Sequence, residues 1–288
     1  DGDTIQLGIG SIPDAIALAL ADKKDLGIHT EMINSGMAVL MQKGIVTNKK
    51  KTLHRGKTVG TFAFGDQNLY DCLDNNPAIL MLPAEYVNNP AVIAKNDNMV
   101  AINTAIQVDL TGQVGSEGIG SRHYSGSGGQ TDMSQGANHA KNGRSIIALH
   151  STVKNGTIST IQPYLTPGTV VTLSRNCVDY IVTEYGIAAL KGRNVRERVE
   201  NLIAIAHPKF RDELREGKES DGEIMSKKNF DIIIIGFAVF ATFFGAGNLI
   251  FPPHLGVLAG QEWYTAFAGF LVGDVVLCIL AVVVSCKY

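Results

Sequence analysis

Cysteine is scarce in this chain: there are four in 288 residues, with no Cys-x-x-Cys pair and no metal-ligand spacing to histidine. That rules out a disulfide-stapled scaffold and a zinc ribbon, and leaves Cys72, Cys177, Cys278 and Cys286 to be read as reduced, structural thiols. Charge is also thin, at 18% of residues with a net of -2, and the Lys and Arg side chains are dispersed instead of forming a stripe with aromatic residues. No nucleic-acid partner is expected, and the run Lys49-Lys50-Lys51 reads as a solvated loop. No signal peptide is read ahead of Asp1, no metal, flavin or nicotinamide site is apparent, and residues 1–224 are expected to be cytoplasmic.

The modest charge average hides a seam near Met225. Before it the chain is glycine-rich and of mixed polarity; after Met225-Ser226-Lys227-Lys228 it is almost free of charge. From Phe230 to about Ile250, and again from Tyr264 to about Ser285, the apolar runs reach the 20 or so residues that a helix needs to cross a bilayer. Two transmembrane spans are therefore expected over 230–288, with Lys227 and Lys228 holding the near end of the first in the cytoplasm. Residues 218–229 read as a polar linker, and the soluble part as residues 1–217. A Gly245-Ala246-Gly247-Asn248 stretch inside the first span invites a local helix break of the kind that exposes backbone groups to an ion or substrate.

In the soluble part, Thr4-Ile5-Gln6-Leu7 reads as a short buried strand. It is followed by a turn through Gly8 and Gly10 and a helix started by Ser11, with Pro13 in its first turn. Such a turn lets a ligand approach the backbone, and the helix start favours an anion; a purely structural glycine turn fits these residues equally well. Ile28-His29-Thr30-Glu31 is a strand end with an acid at its tip, where open α/β sheets place ligands. By position alone, Glu31 is either a helix-start charge or a catalytic group.

Further on, the hydrophobic stretch 99–110 reads as a strand. Seven glycines then fall within residues 112–129, a density that cannot fill a core and suits backbone folded closely around a ligand. Ser145–Leu149, Thr157–Ile161, Val170–Leu173 and Asp179–Gly186 read as strands. Val195, Val199, Leu202 and Ile203 lie on one face of a helix. The expected class is α/β, an open sheet with flanking helices, followed by the two membrane spans.

Six motifs in order carry a resemblance: Gly8-Ile9-Gly10-Ser11-Ile12-Pro13, His29-Thr30-Glu31-Met32, Asn88-Asn89-Pro90, Ala101-Ile102-Asn103-Thr104-Ala105, Ser125-Gly126-Ser127-Gly128-Gly129-Gln130 and Val182-Thr183-Glu184-Tyr185-Gly186-Ile187-Ala188. Together they resemble the class I CoA-transferases of the acetyl-CoA hydrolase/transferase family, in particular the 4-hydroxybutyrate and butyryl-CoA:acetate enzymes. The resemblance implies that Glu31 is the nucleophile, forming first an acyl-glutamyl anhydride and then a glutamyl-CoA thioester. A carboxylate suits this chemistry because each transfer exchanges one carboxyl leaving group for another, and it is ionised at neutral pH without a general base.

The same resemblance implies CoA contacts at Gly8, Ile9, Gly10, Ser11, Ile12, Ile106, Ser125, Gly128, Gly129 and Lys154, and gives Asn88 the task of orienting the glutamate or the acyl oxygen. Glu117, in the glycine-rich loop, is the rival nucleophile. Acyl-CoA and short-chain carboxylates are the implied partners, with CoA a substrate and no cofactor, and a homo-oligomer is possible by analogy. The family also implies a preceding α/β domain that this sequence does not carry. Gly118 stands where a serine is usual, and Met133 where an aromatic is usual. Residues from about 225 resemble the start of a sodium-coupled branched-chain amino acid carrier.

Overall fold

A computed structural model describes residues 1–8, 10–220, 260–262, 264, 265 and 268 of the chain. The chain divides into two compact units, Asp1–Asp221 and Gly222–Tyr288. In the second unit the described residues include a single 3-10 turn, Gly260–Glu262. The linker beyond residue 220, the glycine stretch at 245–247 and the expected spans lie outside the described residues, apart from Tyr264, Thr265 and Ala268. Among the described residues no helix is long and apolar enough to cross a membrane.

The first unit is built on a six-stranded sheet in the order Gly186–Ala189, Tyr180–Thr183, Arg144–Ala148, Met99–Thr104, Thr4–Leu7, Gly27–Ile28. Neighbouring strands run parallel except at one edge, where 186–189 turns back antiparallel on 180–183. The central strands are buried along most of their length, which explains why 4–7 and 99–104 read as continuous apolar runs and not as alternating ones. Leu7, Ile28, Ile147 and Ile181 are among the fully buried side chains of the sheet. Chain order reverses between the 4–7 and 99–104 strands, since the second strand lies to one side of the first and all later ones to the other. Ligands of open α/β sheets bind at that position, beyond the carboxyl ends of the strands.

Past its second strand the chain continues in parallel pairing. His29 bridges to Val59, Met32–Ile33 pairs with Phe62–Ala63, and Thr58–Gly60 with Ile79–Met81. Glu31 is therefore held in a short gap between two paired segments, its own carbonyl accepting from Thr61 N at 2.8 Å and Phe62 N at 3.2 Å.

Several sequence expectations change in detail. The apolar run 99–110 is two strands, because Gln107–Asp109 leaves the main sheet to pair with Ile161–Gln162 and Val114–Gly115. The 157–161 run likewise splits into Ile158–Ser159 and Ile161–Gln162. Val170–Leu173 is not a strand, since its strand-type pairing is limited to one bridge, between Leu173 and Val114. In the helix Val195–Ile205, Val199, Leu202 and Ile203 are buried as expected while Val195 is exposed.

The lysine run also departs from expectation. Lys49 and Lys50 are exposed, but Lys51 is buried, with Nζ donating to Ile28 O at 2.7 Å and Lys57 O at 2.8 Å. Its stem fills the space over Gly27, where a Cβ would come within 2.4 Å of Lys51 Cγ. Burial pushes this amine down to about 7.

Candidate active site

A cavity of about 340 Å³ opens at the chain-order reversal of the sheet, lined by the ends of both flanking strands: Gln6, Leu7 and Gly8 on one side, Asn103 and Thr104 on the other. Glu31, Met32 and Phe62 form a second wall. The glycine-rich segment supplies the third, through Ser116 and residues 125–130. This segment is the crossover from the 99–104 strand to the helix Gln130–His139, and its exposed run 121–128 meets the cavity at 125–128 before the chain is buried at Gly129.

Glu31 points at the start of that helix. Its Oε2 accepts from the backbone N–H of Gly129, the N-cap residue, at 2.7 Å. A helix start concentrates unpaired N–H groups and positive dipole, so it favours a carboxylate there and any negative charge that develops beside it. The approach leaves no space for a side chain at residue 129: a Cβ would stand 2.3 Å from Glu31 Oε2 and 2.8 Å from Asn88 Nδ2. Gly128 has φ +54, a left-handed conformation that glycine adopts without cost. Close backbone approach thus accounts for the paired glycines.

Other polar groups surround the carboxylate. Asp132, in the first turn of the same helix, is pushed up from its ordinary value by burial and then by the charge of Glu31. Asn88 follows the short helix Ala84–Val87, and its Oδ1 is buried without a hydrogen-bond partner. On the cavity floor, Gln6 Nε2 donates to Asn103 Oδ1 at 3.0 Å and Asn103 Nδ2 returns a bond to Gln6 Oε1 at 3.1 Å. Gly8 makes room for that pair, since a Cβ there would lie 2.9 Å from Asn103 Oδ1.

Of the residues singled out from sequence, Glu31, Gly8, Ser125, Gly128 and Gly129 line this one cavity. Gly10 caps the helix Ser11–Ala19 with φ +123, and Ile12 lies half-buried in its first turn. Ile9, and the side chain of Ser11, lie outside the described residues. Ile106 is half-buried, with its N–H bonded to Gly115 O, and is not part of the lining. Lys154 stands exposed at the tip of the hairpin Thr152–Val153/Ile158–Ser159, with φ +49, away from the lining. Glu117 is buried, and its neighbour Ser116 meets the cavity instead.

The sequence reading gave no role to Gln6, Asn103, Phe62 or Asp132. Gln6 did carry a signal, as the one amide in an otherwise apolar buried strand end. Glu184, quoted within a motif without a role, accepts from Ser151 N at 2.9 Å and Ser151 Oγ at 2.6 Å, at the root of the hairpin that bears Lys154. Desolvation pushes the Glu184 carboxyl up, but the two Ser151 bonds, its own backbone N–H and the charge of His150 together hold the group below its ordinary value. Among the described residues no group of three or more His, Cys, Asp or Glu side chains is arranged to hold a metal ion.

The mainly parallel α/β sheet, with a carboxylate seated on a glycine-lined helix start, belongs to a family that comparison identifies. Residues 65–218 match the acetyl-CoA hydrolase/transferase C-terminal domain, and the chain belongs to that family. It is 57% identical over 214 residues to the 4-hydroxybutyrate coenzyme A transferase of Clostridium kluyveri, covering 74% of this chain and 50% of that one. It is 53% identical over 216 residues to the succinyl-CoA:cyclohexane-1-carboxylate CoA transferase of Geobacter metallireducens, covering 75% and 49%. Among solved structures, RipA from Yersinia pestis superposes with a TM-score of 0.74 at 47% identity, over 77% of this chain and 50% of that one. The chain spans about half the length of the curated relatives it matches. Residues 228–288 match a different family, the branched-chain amino acid transport proteins.

Proposed function

We propose that residues 1–217 carry the catalytic half of a short-chain acyl-CoA:carboxylate CoA-transferase, with Glu31 as the nucleophile. One observation carries this reading: a glutamate carboxylate seated 2.7 Å from a helix-start N–H, in a cavity at the chain-order reversal of the sheet. One Glu31 oxygen attacks the thioester carbonyl of an acyl-CoA, and the CoA thiolate leaves, giving an acyl-glutamyl anhydride. The thiolate then attacks the glutamyl carbonyl carbon, the original acid departs as its carboxylate, and a glutamyl-CoA thioester remains. A second carboxylate reverses the two steps and leaves with CoA.

No proton has to move, which suits a site whose nucleophile needs only to be ionised. The Gly129 N–H already meets Oε2, so it stands ready for the oxyanion that forms on the glutamyl carbon; one such donor typically contributes 10²- to 10³-fold to rate. Gly8, Gly10, Ser125, Gly128, Ile106 and Lys154 are assigned to CoA, on the family resemblance. Three relatives are named for four-carbon acids and one for cyclohexane-1-carboxylate, and the four-carbon acids are proposed as the acyl groups.

The test measures CoA exchange from butyryl-CoA to acetate by the full chain, alone and with the half of a relative that the match does not cover supplied in trans. Acetyl-CoA and butyrate forming in equal amounts, dependent on acetate, is expected. Free CoA forming at the same rate with or without acetate would instead make the chain a hydrolase.

Residues 230–250 and 264–285 are proposed as two membrane spans that anchor a cytoplasmic enzyme half, supported by their apolar runs and the transport-family match. The full chain should then float with liposomes and resist carbonate extraction. Recovery in the aqueous fraction would remove the anchor.

A further inference from the structure

His29 lies two residues before Glu31, at 0% exposure, and the reaction outlined above leaves it without a task. Its Nε2 stands 2.8 Å from Val87 O. A carbonyl only accepts, so Nε2 carries the proton and Nδ1 is left with the lone pair. Nδ1 is buried and has no hydrogen-bond partner. Burial, and then the charges of Lys51 and His54, push the imidazole down to about 4, against the opposing pull of the Val87 bond. Lys51 and His54 are the titratable groups whose charges act on the ring, both against protonation, and a second proton at Nδ1 finds no acceptor.

The position of the accepted carbonyl gives this bond its meaning. Val87 ends the short helix Ala84–Val87, and the next residue is Asn88, whose N–H closes the turn on Ala84 O at 2.8 Å. The Asn88 amide and the Glu31 carboxylate converge on the same side of Gly129. His29 itself is fixed to the sheet, with its backbone N–H on Ile5 O and its bridge to Val59. The imidazole is therefore a rigid strut between the segment that carries the glutamate and the segment that carries the asparagine.

We propose that His29 is a positioning residue that, through its bond to Val87 O, fixes the Asn88 amide against the Glu31 carboxylate and so acts on the reaction through Asn88. This deepens the transferase reading and rests on it. Reacting groups must be held within a few tenths of an ångström, and misplacement by about 1 Å can cost on the order of 100-fold in rate.

The experiment compares His29→Leu, which removes the donor, with His29→Gln, whose Nε2 reaches the same carbonyl, each in the native and Asn88→Ala backgrounds of the full chain. His29→Leu is expected to lower kcat about 10- to 100-fold with KM for acyl-CoA unchanged within about threefold, and His29→Gln to recover most of the loss. In the Asn88→Ala background the same leucine should cost less than about threefold more, because the two side chains act as one unit. Equal losses in both backgrounds, a change in KM alone, or a glutamine no better than leucine would overturn the proposal.

Should His29→Leu not fold, His29→Asn carries the same comparison, since its shorter amide falls short of Val87 O. The side-chain amide resonances of Asn88 give a readout that needs no turnover. They should shift with leucine or asparagine at residue 29 and return with glutamine, and unmoved resonances reject the coupling. Native chain that turns over nothing even with the relatives' other half supplied sinks the transferase reading, while the Asn88 resonances still decide the strut.

Discussion

At the residue scale, contacts too close to permit alternatives set the site. Gly129 has φ -88, a backbone conformation open to any residue, so replacing it tests the side-chain contact and not backbone strain. Gly129→Ala is expected to leave thermal stability within about 1 kcal/mol while lowering exchange activity by at least about 100-fold, because its Cβ would displace the Glu31 carboxylate. Activity within a few-fold of the native chain would mean that Glu31 does its chemistry elsewhere. Glu31 and the paired glycines were legible from the chain because each stands in a motif of unusual composition. Gln6 and Asn103 were less so, since an amide in a buried strand shows its purpose only once its partner, 97 residues away, closes the pair.

The buried bases His29 and Lys51 give a pH dependence with a definite sign. Folding lowers both groups, His29 from 6.5 to about 4 and Lys51 from 10.5 to about 7, so the unfolded chain binds more protons in each window. Stability through these groups therefore rises with pH from about 7 to 10.5, and falls as pH drops from 6.5 toward 4. The His29 share is on the order of 3 kcal/mol. Urea denaturation across this range should show both slopes, and His29→Gln should flatten the acidic one. An acidic slope unchanged by that substitution would contradict the assignment.

At the element scale, the pairing of residues 27–33 with 57–63 holds Glu31, and Lys51 closes one end of it by bonding carbonyls from both sides. Lys51→Met keeps the stem over Gly27 and removes the donor, leaving Ile28 O and Lys57 O buried without it. A loss of about 2 to 4 kcal/mol is expected in chemical denaturation above pH 10.5, where the amine is neutral in both states and removing it relieves no burial penalty. A loss below about 0.5 kcal/mol would show that the carbonyls find other partners.

This device was illegible in the sequence, where the third lysine of a polar run looks like the two exposed ones before it. Only the bare Cα of Gly27, brought over it by the parallel pairing, makes its seat. Locally periodic elements were readable, as with the helix Val195–Ile205 and the strand 4–7. The break of the 99–110 run was not, because it depends on strands at 114–115 and 161–162 competing for Gln107–Asp109.

At the scale of the whole molecule, the order of strands locates the chemistry. The cavity follows from the reversal between the first and third strands of the main sheet, and the glycine-rich crossover closes over it. A strand, a glycine turn and an acid at a strand end were readable one by one. That they face a single cavity follows from the topology. The chain divides into the units Asp1–Asp221 and Gly222–Tyr288, and residues 65–218 and 228–288 match two different families.

The central claim is that the Glu31 carboxylate becomes acylated and then thioesterified. Incubation of the chain with butyryl-CoA, in the presence of the relatives' other half, followed by borohydride reduction and peptide mass spectrometry, tests it most directly. Reduction of residue 31 to the alcohol, dependent on the acyl-CoA and absent in Glu31→Gln, is the expected result. An intact Glu31 beside a reduced Glu117 would contradict the account, as would acyl exchange that proceeds undiminished in Glu31→Gln.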